Sequence, residues 1–462
     1  MKITLKDKKV LVLGLGDTGL SALRWLESQG AVLSVADSRV NPPGVDDLIK
    51  RMPHVLVYTG PFDSAVLNQA DLIVISPGVA ISEPAVQAAI SYGVTVIGDV
   101  ELFAQYRPKN AKVIAITGSN GKTTVTTLVG EICKEAGLKT IVAGNIGLPV
   151  LEALMMQEPD VYVLELSSFQ LETTHHLNCD SATVLNISED HMDRYADMAA
   201  YTAAKARILT HAKVAVLNRD DAVSLALPAK HVVTFGLNPA PTIHDFGLVE
   251  NENELCLSSG QRKLLQANQL NITGLHNVAN ALAATALCHA IGIQKTAIVG
   301  ALRHFKGLPH RVEWVATIDD VDFYDDSKGT NVGATCAAIA GMVKQGKPQK
   351  VVLIAGGDGK GQDFAPLVPA VKTNARAVVL IGRDAALIEK ILLPTEIPLY
   401  HAVDLPEAVN IATKLAQAGD AVLLSPACAS FDMFKNYVHR AEVFVEAVKQ
   451  LQQASAQKVA VC

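Results

Sequence analysis

The sequence predicts an α/β protein of three domains, each built on a mainly parallel sheet. Runs of β-branched and aliphatic residues alternate with helix-like patterns along the chain, as at Lys9–Leu13, Val113–Ile116 and Val351–Ala355. At 462 residues the chain has room for about two to four domains, each with a core of its own. Polar links near residues 107 and 307 divide it into domains at 1–107, 108–307 and 308–462.

The overall composition is that of a soluble globular protein. Charged residues make up 19% of the chain, the net charge is −6, and there is no basic block, which argues against nucleic-acid binding. The first stretch lacks the apolar core of a signal peptide, and no run reaches the ~18 apolar residues of a membrane span. The seven cysteines form no C-x-x-C pair. We therefore expect a cytoplasmic monomer without membrane insertion.

The strongest single motif follows the strand at Val113–Ile116. It consists of Gly118, Ser119, Asn120, Gly121, Lys122, Thr123 and Thr124, and a helical pattern comes after it. Glycines let such a loop turn its backbone N–H groups towards an anion, and the following helix adds its positive N-terminus. Lysine can reach the outer phosphates and threonine can bind Mg²⁺. The motif predicts a central P-loop-type domain that binds a nucleotide triphosphate, and the alternative is an ordinary glycine turn.

A second glycine-rich turn, Gly14–Gly19, follows the first strand and contains Asp17 and Thr18. The next strand, Val32–Ala36, is closed by Asp37, Ser38 and Arg39. This G-x-G-x-x-G pattern with a downstream acid predicts a Rossmann-like domain that places phosphates at a helix N-terminus. NAD and a nucleotide diphosphate both satisfy it, and so does a ligand-free turn. Ser76 ends another strand, and we expect it at the same sheet edge.

The central domain has further polar residues where predicted strands end. Asn145 follows one strand, and Glu165 ends an otherwise apolar run, where it suits a magnesium ligand or a helix cap. The strand predicted at Thr183–Ile187 leads to His191. A lone histidine is more often structural, but the company of Glu165 favours a ligand role. Lys205 follows in a helical segment of small residues.

The remaining chain carries weaker signals. Residues 225–269 predict short antiparallel strands without chemistry, and Asn277 and Asn280 share a helix face, where they either read an adenine edge or cap the helix. Clustered charge marks a predicted strand end at Phe323–Lys328, and polar residues follow the strands predicted at Val351–Ala355 and Ala421–Leu424, as expected of a C-terminal Rossmann-like α/β domain.

Taken together, the motifs resemble those of the Mur ligases of peptidoglycan synthesis. The resemblance is carried by GSNGKTT, NISEDHMDR, AAKARI, LPHR, DDSKGTN and GGDGK, which occur in order over all three domains. The segments GLGDTG, ELSSFQLE and SPACASFDMFKNY are similar to the branch of the family that adds D-glutamate.

The resemblance implies an ATP-dependent amide ligase that joins D-glutamate to UDP-N-acetylmuramoyl-L-alanine through an acyl phosphate and a tetrahedral intermediate. Two Mg²⁺ ions would assist. The implied catalytic residues are Lys122, Glu165, His191 and Lys205, and the metal ligands are Thr123, Glu165, His191 and Lys205, the last as a carbamate. The implied ATP contacts are Gly118, Ser119, Asn120, Gly121, Lys122, Thr123, Thr124, Asn280, Arg311 and Asp326. The implied contacts to the UDP substrate are Asp17, Thr18, Ser38, Arg39, Ser76, Asn145 and His191. Those to D-glutamate are Lys328, Thr330, Lys360, Ser430, Phe431 and Tyr437.

Three other interpretations remain open at this point. The first is a sister ligase that adds another amino acid. The second is an NAD(P)-dependent oxidoreductase that uses the N-terminal turn, although it leaves the loop at 118–124 unexplained. The third is a nucleotide-driven switch with no small-molecule product. Tests with L-alanine, D-glutamate and diaminopimelate as amine acceptors separate the ligases from one another.

Overall fold

A computed structural model describes residues 2–251, 254–272, 274–342 and 350–461. The chain divides into two compact units. The first comprises residues 1–187, 199–269 and 280–304, and the second comprises residues 188–198, 270–279 and 305–462. No helix among the described residues is long and apolar enough to cross a membrane.

The first unit begins with a five-stranded, wholly parallel sheet in the order β3-β2-β1-β4-β5. Its elements are β1 Lys9–Leu13, α1 Asp17–Ser28, β2 Val32–Asp37, α2 Val45–Arg51, β3 Leu56–Thr59, α3 Ser64–Leu67, β4 Leu72–Ile75, α4 Pro84–Tyr92, β5 Thr95–Gly98 and α5 Asp99–Tyr106. Aliphatic residues of β1 and β4 pack with α4 into one core cluster. This doubly wound order confirms the predicted Rossmann-like sheet.

The same unit contains a nine-stranded sheet in the order β14-β13-β12-β11-β10-β9-β6-β8-β7. Its elements are β6 Lys112–Thr117, α6 Lys122–Glu135, β7 Thr140–Gly144, α7 Val150–Ala153, β8 Val161–Glu165, α8 Ser168–Glu172, β9 Cys179–Val184, α9 Met198–Ala206, a 3₁₀ turn Arg207–Leu209, β10 Ala212–Asn218, α10 Ala222–Leu225, β11 Val232–Phe235, β12 Phe246–Asn251, β13 Glu254–Ser259, β14 Arg262–Gln266, a 3₁₀ turn Ala267–Gln269, α11 Leu275–Ala290 and α12 Lys295–His304. Strands β12 to β14 pair antiparallel, and the others pair parallel.

The second unit is built on a six-stranded sheet in the order β15-β16-β20-β17-β18-β19, in which only the β15–β16 pair is antiparallel. Its elements are β15 Glu313–Ile318, β16 Val321–Asp325, α13 Val332–Met342, β17 Val351–Gly356, α14 Leu367–Asn374, β18 Ala375–Ile381, α15 Ala385–Leu392, a 3₁₀ turn Leu393–Thr395, β19 Leu399–His401, α16 Leu405–Leu415, β20 Ala421–Leu424 and α17 Tyr437–Val461. Two apolar clusters cover the two faces of this sheet, as a buried parallel sheet requires.

One predicted strand lies elsewhere. The run expected at Thr183–Ile187 is a strand at Cys179–Val184 instead. Asn186 has left the sheet and hydrogen-bonds with a neighbouring loop through its side chain. The hydrophobic run therefore continues beyond the end of the strand. The domain boundaries near 107 and 307 stay predictions.

Candidate functional site

The loop between β6 and α6 forms the centre of the site in the first unit. Gly121 adopts φ +81° as the N-cap of α6, in the left-handed region that favours glycine. A Cβ atom there would lie 2.5 Å from Oδ1 of Asn280, so α11 approaches the N-terminus of α6 closely. Nζ of Lys122 donates to the carbonyl oxygens of Gly118 at 2.8 Å and Ser119 at 2.9 Å. The sequence thus builds the strand–loop–helix context that a phosphate loop needs.

The segment after β9 braces this loop. The backbone N–H of Asn120 donates to Oδ1 of Asn186 at 2.8 Å, and Nδ2 of Asn186 donates to the Asn120 carbonyl at 3.1 Å. The N–H of Ser119 donates to the Asn186 carbonyl at 2.9 Å. Three bonds to one residue hold the loop backbone in its conformation. The sequence did not indicate this role of Asn186, because the residue lies in a run that predicts a strand.

Lys205 approaches the same loop from the end of α9. Its side chain is only 2% exposed, and Nζ donates to the Gly118 carbonyl at 2.9 Å. Nζ also lies 4.6 Å from the ring centroid of Tyr201, whose hydroxyl is 3.2 Å from Oγ of Ser119. The structure therefore brings together Lys122 and Lys205, which are 83 residues apart in the sequence, at one carbonyl group.

The surroundings of Glu165 suit a bound metal ion. It ends β8 beside β6 and is 1% exposed. Oε1 accepts a hydrogen bond from Nδ2 of Asn145 at 2.8 Å, but within the described part of the chain no group donates to the buried Oε2. A buried carboxylate oxygen without a donor suits a hard cation such as Mg²⁺. Thr123, in the first turn of α6, supplies the hydroxyl that such sites use.

The first sheet carries a second candidate site at the carboxyl ends of its strands. The Asp37 carboxylate accepts the N–H of Leu15 at 2.7 Å, and Nε and Nη2 of Arg39 donate to it at 2.8 and 2.6 Å. These Arg39 bonds lower the pKa of Asp37 to about 2. Asp37 thus fixes the glycine turn to Arg39. Oγ of Ser76 donates to the Gly14 carbonyl at 3.1 Å, so it stands at the same turn.

The start of α1 adjoins the loop after β7. Asp17 is exposed in the first turn of α1, Thr18 follows it, and Ser38 is exposed beside Arg39. A cavity of about 340 Å³ lies between these elements; its lining is Asp17, Leu20, Arg24, Gly147, Leu148, Pro149 and Glu152. Nη2 of Arg24 pairs with Oε2 of Glu152 at 3.1 Å across it. Helix α1 and the loop that holds Asn145 therefore border one cavity.

In the second unit, His191 and Lys360 meet at one carboxylate. The buried Asp190 forms an ion pair with Lys360, and Nε2 of His191 lies 3.6 Å from Oδ2 of Asp190. Nδ2 of Asn331 lies 3.4 Å from the same oxygen. His191 has φ +61°, which is uncommon for a residue with a side chain. The predicted residues Lys360 and His191 are thus neighbours, and Asp190 is the residue that joins them.

A buried arginine organises the other loops of this unit. Arg440 is fully buried; its Nε and Nη2 donate to Oγ and the carbonyl of Ser327 at 3.0 and 2.8 Å, and its Nη1 donates to the Cys428 carbonyl at 3.1 Å. Oγ of Ser327 donates to the Tyr437 carbonyl at 2.7 Å, and Nζ of Lys328 lies 5.1 Å from the Tyr437 ring centroid. Arg440 therefore holds together the loops after β16 and β20. Sequence reasoning missed it because it lies inside a helix.

Other predicted residues of this unit lie along the same strand ends. Asp326 is buried, and burial raises its pKa to about 7 although Oγ of Ser425 donates to it at 2.7 Å. Nε of Arg311 is buried, and no group of the described residues accepts its hydrogen bond. Ser430 is buried, whereas Phe431 is 75% exposed. The backbone N–H of Thr330 donates to the Lys328 carbonyl at 3.0 Å. Their roles towards ligands stay predictions.

The thiol of Cys428 is buried, and burial raises its pKa to about 12. At neutral pH such a protonated thiol is a poor nucleophile.

Comparisons with known proteins identify the family. A model of the Mur ligase MurD-like N-terminal domain matches residues 8–98, one of the Mur ligase middle domain matches residues 116–288, and one of the Mur ligase glutamate ligase domain matches residues 310–428. Proteins named UDP-N-acetylmuramoylalanine–D-glutamate ligase are similar over nearly their whole length. That of Methylobacillus flagellatus is 64% identical over 97% of this chain and 98% of its own. That of Thiobacillus denitrificans is 58% identical over 98% and 99%. The chain belongs to the Mur ligase family.

Solved structures agree with this fold. A UDP-N-acetylmuramate-alanine ligase from Thermotoga maritima superimposes with a TM-score of 0.60 at 20% identity, over 96% of this chain and 99% of that one. A pseudomurein peptide ligase type C from Methanothermus fervidus gives 0.59 at 21% identity, over 96% and 100%. The predicted three-domain α/β fold is thereby confirmed.

Proposed function

We propose that this protein is an ATP-dependent ligase that forms an amide bond between the carboxyl group of UDP-N-acetylmuramoyl-L-alanine and the amine of D-glutamate, in peptidoglycan precursor synthesis. The observation that carries the proposal is the identity of 50–64% over nearly the whole chain to relatives named for this reaction. The site geometry supports it, since a braced phosphate loop, a buried lysine and a buried acid meet at one edge of the sheet.

The chemistry explains why positive charge is concentrated at this edge. A carboxylate does not acylate an amine, because its leaving group would be an oxide. Attack of the carboxylate on the γ-phosphorus of ATP breaks the bond to ADP and gives an acyl phosphate. The amine then adds to the acyl carbon, and the tetrahedral intermediate expels phosphate. Lys122 and the N–H groups of the loop stabilise the anions that must approach each other in the first step.

Thr123 and Glu165 are the residues of the first unit that would hold Mg²⁺. The bound ion would neutralise phosphate charge and orient the transferred group. Glu165 fits this role through its buried Oε2, and Asn145 fixes the carboxylate through Oε1. A metal role for His191 and a second ion stay predictions from the resemblance.

For Lys205 we propose carbamylation. The ammonium group first loses a proton; the neutral amine then adds to the carbon of CO₂ and loses a second proton. The two losses together convert a cation into an anionic carbamate. The carbamate N–H can still donate to the Gly118 carbonyl, as Nζ does here at 2.9 Å. The change replaces a positive charge beside Lys122 by a negative charge that a cation can bind.

The UDP part of the substrate is assigned to the first sheet. Asp17, Thr18, Ser38, Arg39 and Ser76 stand at its carboxyl edge. The cavity beside Asp17 also borders the loop that follows Asn145, and the Asn145 side chain bonds Glu165. D-glutamate is assigned to the strand ends of the second unit, where lysines suit its carboxylates.

An acceptor panel tests the function. Purified protein with ATP, Mg²⁺ and UDP-N-acetylmuramoyl-L-alanine should release phosphate with D-glutamate and not with L-alanine or diaminopimelate. The Lys122→Ala variant is the control for contaminating phosphatase. Turnover with diaminopimelate instead would indicate a sister ligase, and release that needs no amine would indicate a nucleotide switch.

A further inference from the structure

In the first unit, a buried carboxylate on α5 connects the five-stranded sheet to the nine-stranded sheet. Glu101 is 1% exposed, and its Oε2 accepts the backbone N–H groups of His175 at 2.6 Å and His176 at 2.9 Å. Its Oε1 lies 2.6 Å from Nδ1 of His176 and accepts Nε2 of Gln105 at 2.8 Å. Burial would raise the pKa of Glu101, but these hydrogen bonds outweigh it and hold the pKa below its usual value. The carboxylate is therefore ionised and fully satisfied.

The loop at 173–176, which receives these bonds, is held from the other side by Arg207. Nε and Nη2 of Arg207 donate to the Thr174 carbonyl at 3.2 and 2.9 Å, and Nη2 lies 2.8 Å from Nδ1 of His175. Burial and the neighbouring Arg207 lower the pKa of His175, so its neutral ring accepts this bond. The ring of His176 donates through Nδ1 to Glu101, which accepts only. Nδ1 of His175 therefore accepts a hydrogen bond, whereas Nδ1 of His176 donates one.

Elements bonded to this loop or continuous with it also carry residues of the proposed reaction site. Arg207 begins the 3₁₀ turn directly after α9, two residues from Lys205. The loop also follows α8, whose capping residue Ser167 comes two residues after Glu165. On the other side, α5 follows β5 of the first sheet without a break. The loop at 173–176 therefore links the elements that carry Glu165 and Lys205 to the helix that follows the first sheet.

The approach of the chains at this point is close. A Cβ atom at Gly98, the last residue of β5, would lie 2.3 Å from Oγ1 of Thr173. Oγ1 of Thr174 donates to the Gln170 carbonyl at 2.7 Å, which ties the loop to α8. Helix α5 packs against both α7 and α8. The contact is thus built from several independent bonds.

We propose that Glu101 and Arg207 are positioning residues. Their bonds hold the loop at 173–176 from two sides, and this keeps the first sheet and the phosphate loop placed so that one substrate can bind to both. The proposal rests on the proposed function, because it requires a substrate that reaches from one sheet to the other. Neither side chain needs to touch the reacting atoms. Each acts through the loop.

The test is a double-mutant cycle with Glu101→Gln and Arg207→Lys. In Glu101→Gln, either orientation of the amide places its NH₂ group against hydrogen-bond donors. Arg207→Lys keeps the positive charge but lacks the planar guanidinium group, which donates several hydrogen bonds at once. Each single variant should lower kcat/KM for UDP-N-acetylmuramoyl-L-alanine by about tenfold, the effect of one lost charge-assisted bond. The double variant should lose no more than the worse single variant, since either change releases the same loop.

Binding measurements separate positioning from general damage. UDP alone, which needs only the first sheet, should bind every variant with a Kd within twofold of the wild type, whereas the full substrate should bind more weakly. Asp180→Asn is the matched control: the Asp180 carboxylate also accepts a backbone N–H, that of Val113 at 2.9 Å, and pairs with Lys213, but neither partner belongs to the loop at 173–176. It should leave kcat/KM unchanged.

Additive losses in the double variant, equal losses of UDP and substrate binding, or an unchanged kcat/KM would each overturn the positioning role. Failure of the proposed function is distinguishable, because the wild-type protein would then release no phosphate in response to D-glutamate.

Discussion

Asp99 gives the sharpest quantitative prediction. It is the first residue of α5 and is 3% exposed. It lies on the same helix as Glu101, the residue that bonds the loop at 173–176. Its carboxyl accepts the backbone N–H groups of Val100 and of Asp99 itself, but among the described residues Oδ1 has no partner. Burial raises its pKa from 3.8 to about 6. Ionised Asp99 therefore destabilises the folded state.

The sign and size follow from proton linkage. Between pH 3.8 and about 6 the folded state holds a proton that the unfolded state has lost, so stability falls as the pH rises through this window. A difference of about two pH units, at ~1.36 kcal/mol per unit, corresponds to about 3 kcal/mol. Roughly 2 kcal/mol of this is lost between pH 4.5 and 8. In Asp99→Asn the group is always neutral, so this loss should vanish.

Urea unfolding at several pH values measures the effect. Trp25 is a suitable probe, because its ring packs edge-on against Tyr106, at the end of α5, with centroids 4.8 Å apart. The chain has two tryptophans, so a Trp314→Phe background makes Trp25 the single reporter. The stability of Asp99→Asn relative to its parent should rise by roughly 2 kcal/mol from pH 4.5 to 8. Any constant cost of the new amide cancels in this comparison.

Asp46→Asn, an exposed change on α2, is the control and should give parallel curves. If the curves for Asp99→Asn and its parent also run parallel within about 0.5 kcal/mol, Asp99 is not a strained buried acid and the reasoning from burial fails.

Three further variants test the candidate site. Lys122→Ala should abolish phosphate release while titration calorimetry shows unchanged UDP binding; loss of both would point to misfolding. Lys205→Ala should be inactive in the same assay and should recover partly with a short-chain carboxylic acid, which supplies the anion of the carbamate; full activity without the acid would exclude the carbamate. Asn186→Ala removes both side-chain bonds to Asn120 and should raise the KM for ATP about thirtyfold at an unchanged KM for D-glutamate, since each of the two neutral bonds contributes about 1 kcal/mol.

The sequence predicted the elements that local pattern controls. The strands at Lys9–Leu13 and Ala421–Leu424 have the predicted bounds, because apolar runs bounded by polar turns leave few alternatives. The loop at 118–124 and the position of Glu165 at a strand end were also predicted, since glycine spacing and an acid in an apolar run are local signals. Contacts between distant segments have no such signal.

Asn186, Asp190 and Arg440 illustrate what local patterns miss. Each makes its bonds to backbone or side chains far away in the sequence: Asn186 to residue 120, Asp190 to residue 360, and Arg440 to residue 327. An asparagine after a strand, an acid in a polar run and an arginine in a helix are all ordinary at the sequence level. Only the fold determines which of them meets a partner in a buried place.

The glycine turn of the first sheet shows how the structure narrows a choice that the motif leaves open. In NAD-binding domains the downstream acid accepts a ribose hydroxyl. Here Asp37 already accepts the Leu15 N–H and two guanidinium N–H groups of Arg39, and its low pKa, about 2, reflects these bonds. A ribose would have to displace Arg39, a charge-assisted pair with near-ideal geometry. We therefore expect UDP to bind and NADH not to: calorimetry should detect UDP, and NADH fluorescence should stay constant on titration with protein. Enhanced NADH fluorescence that UDP does not reverse would mean that the fingerprint serves a dinucleotide after all.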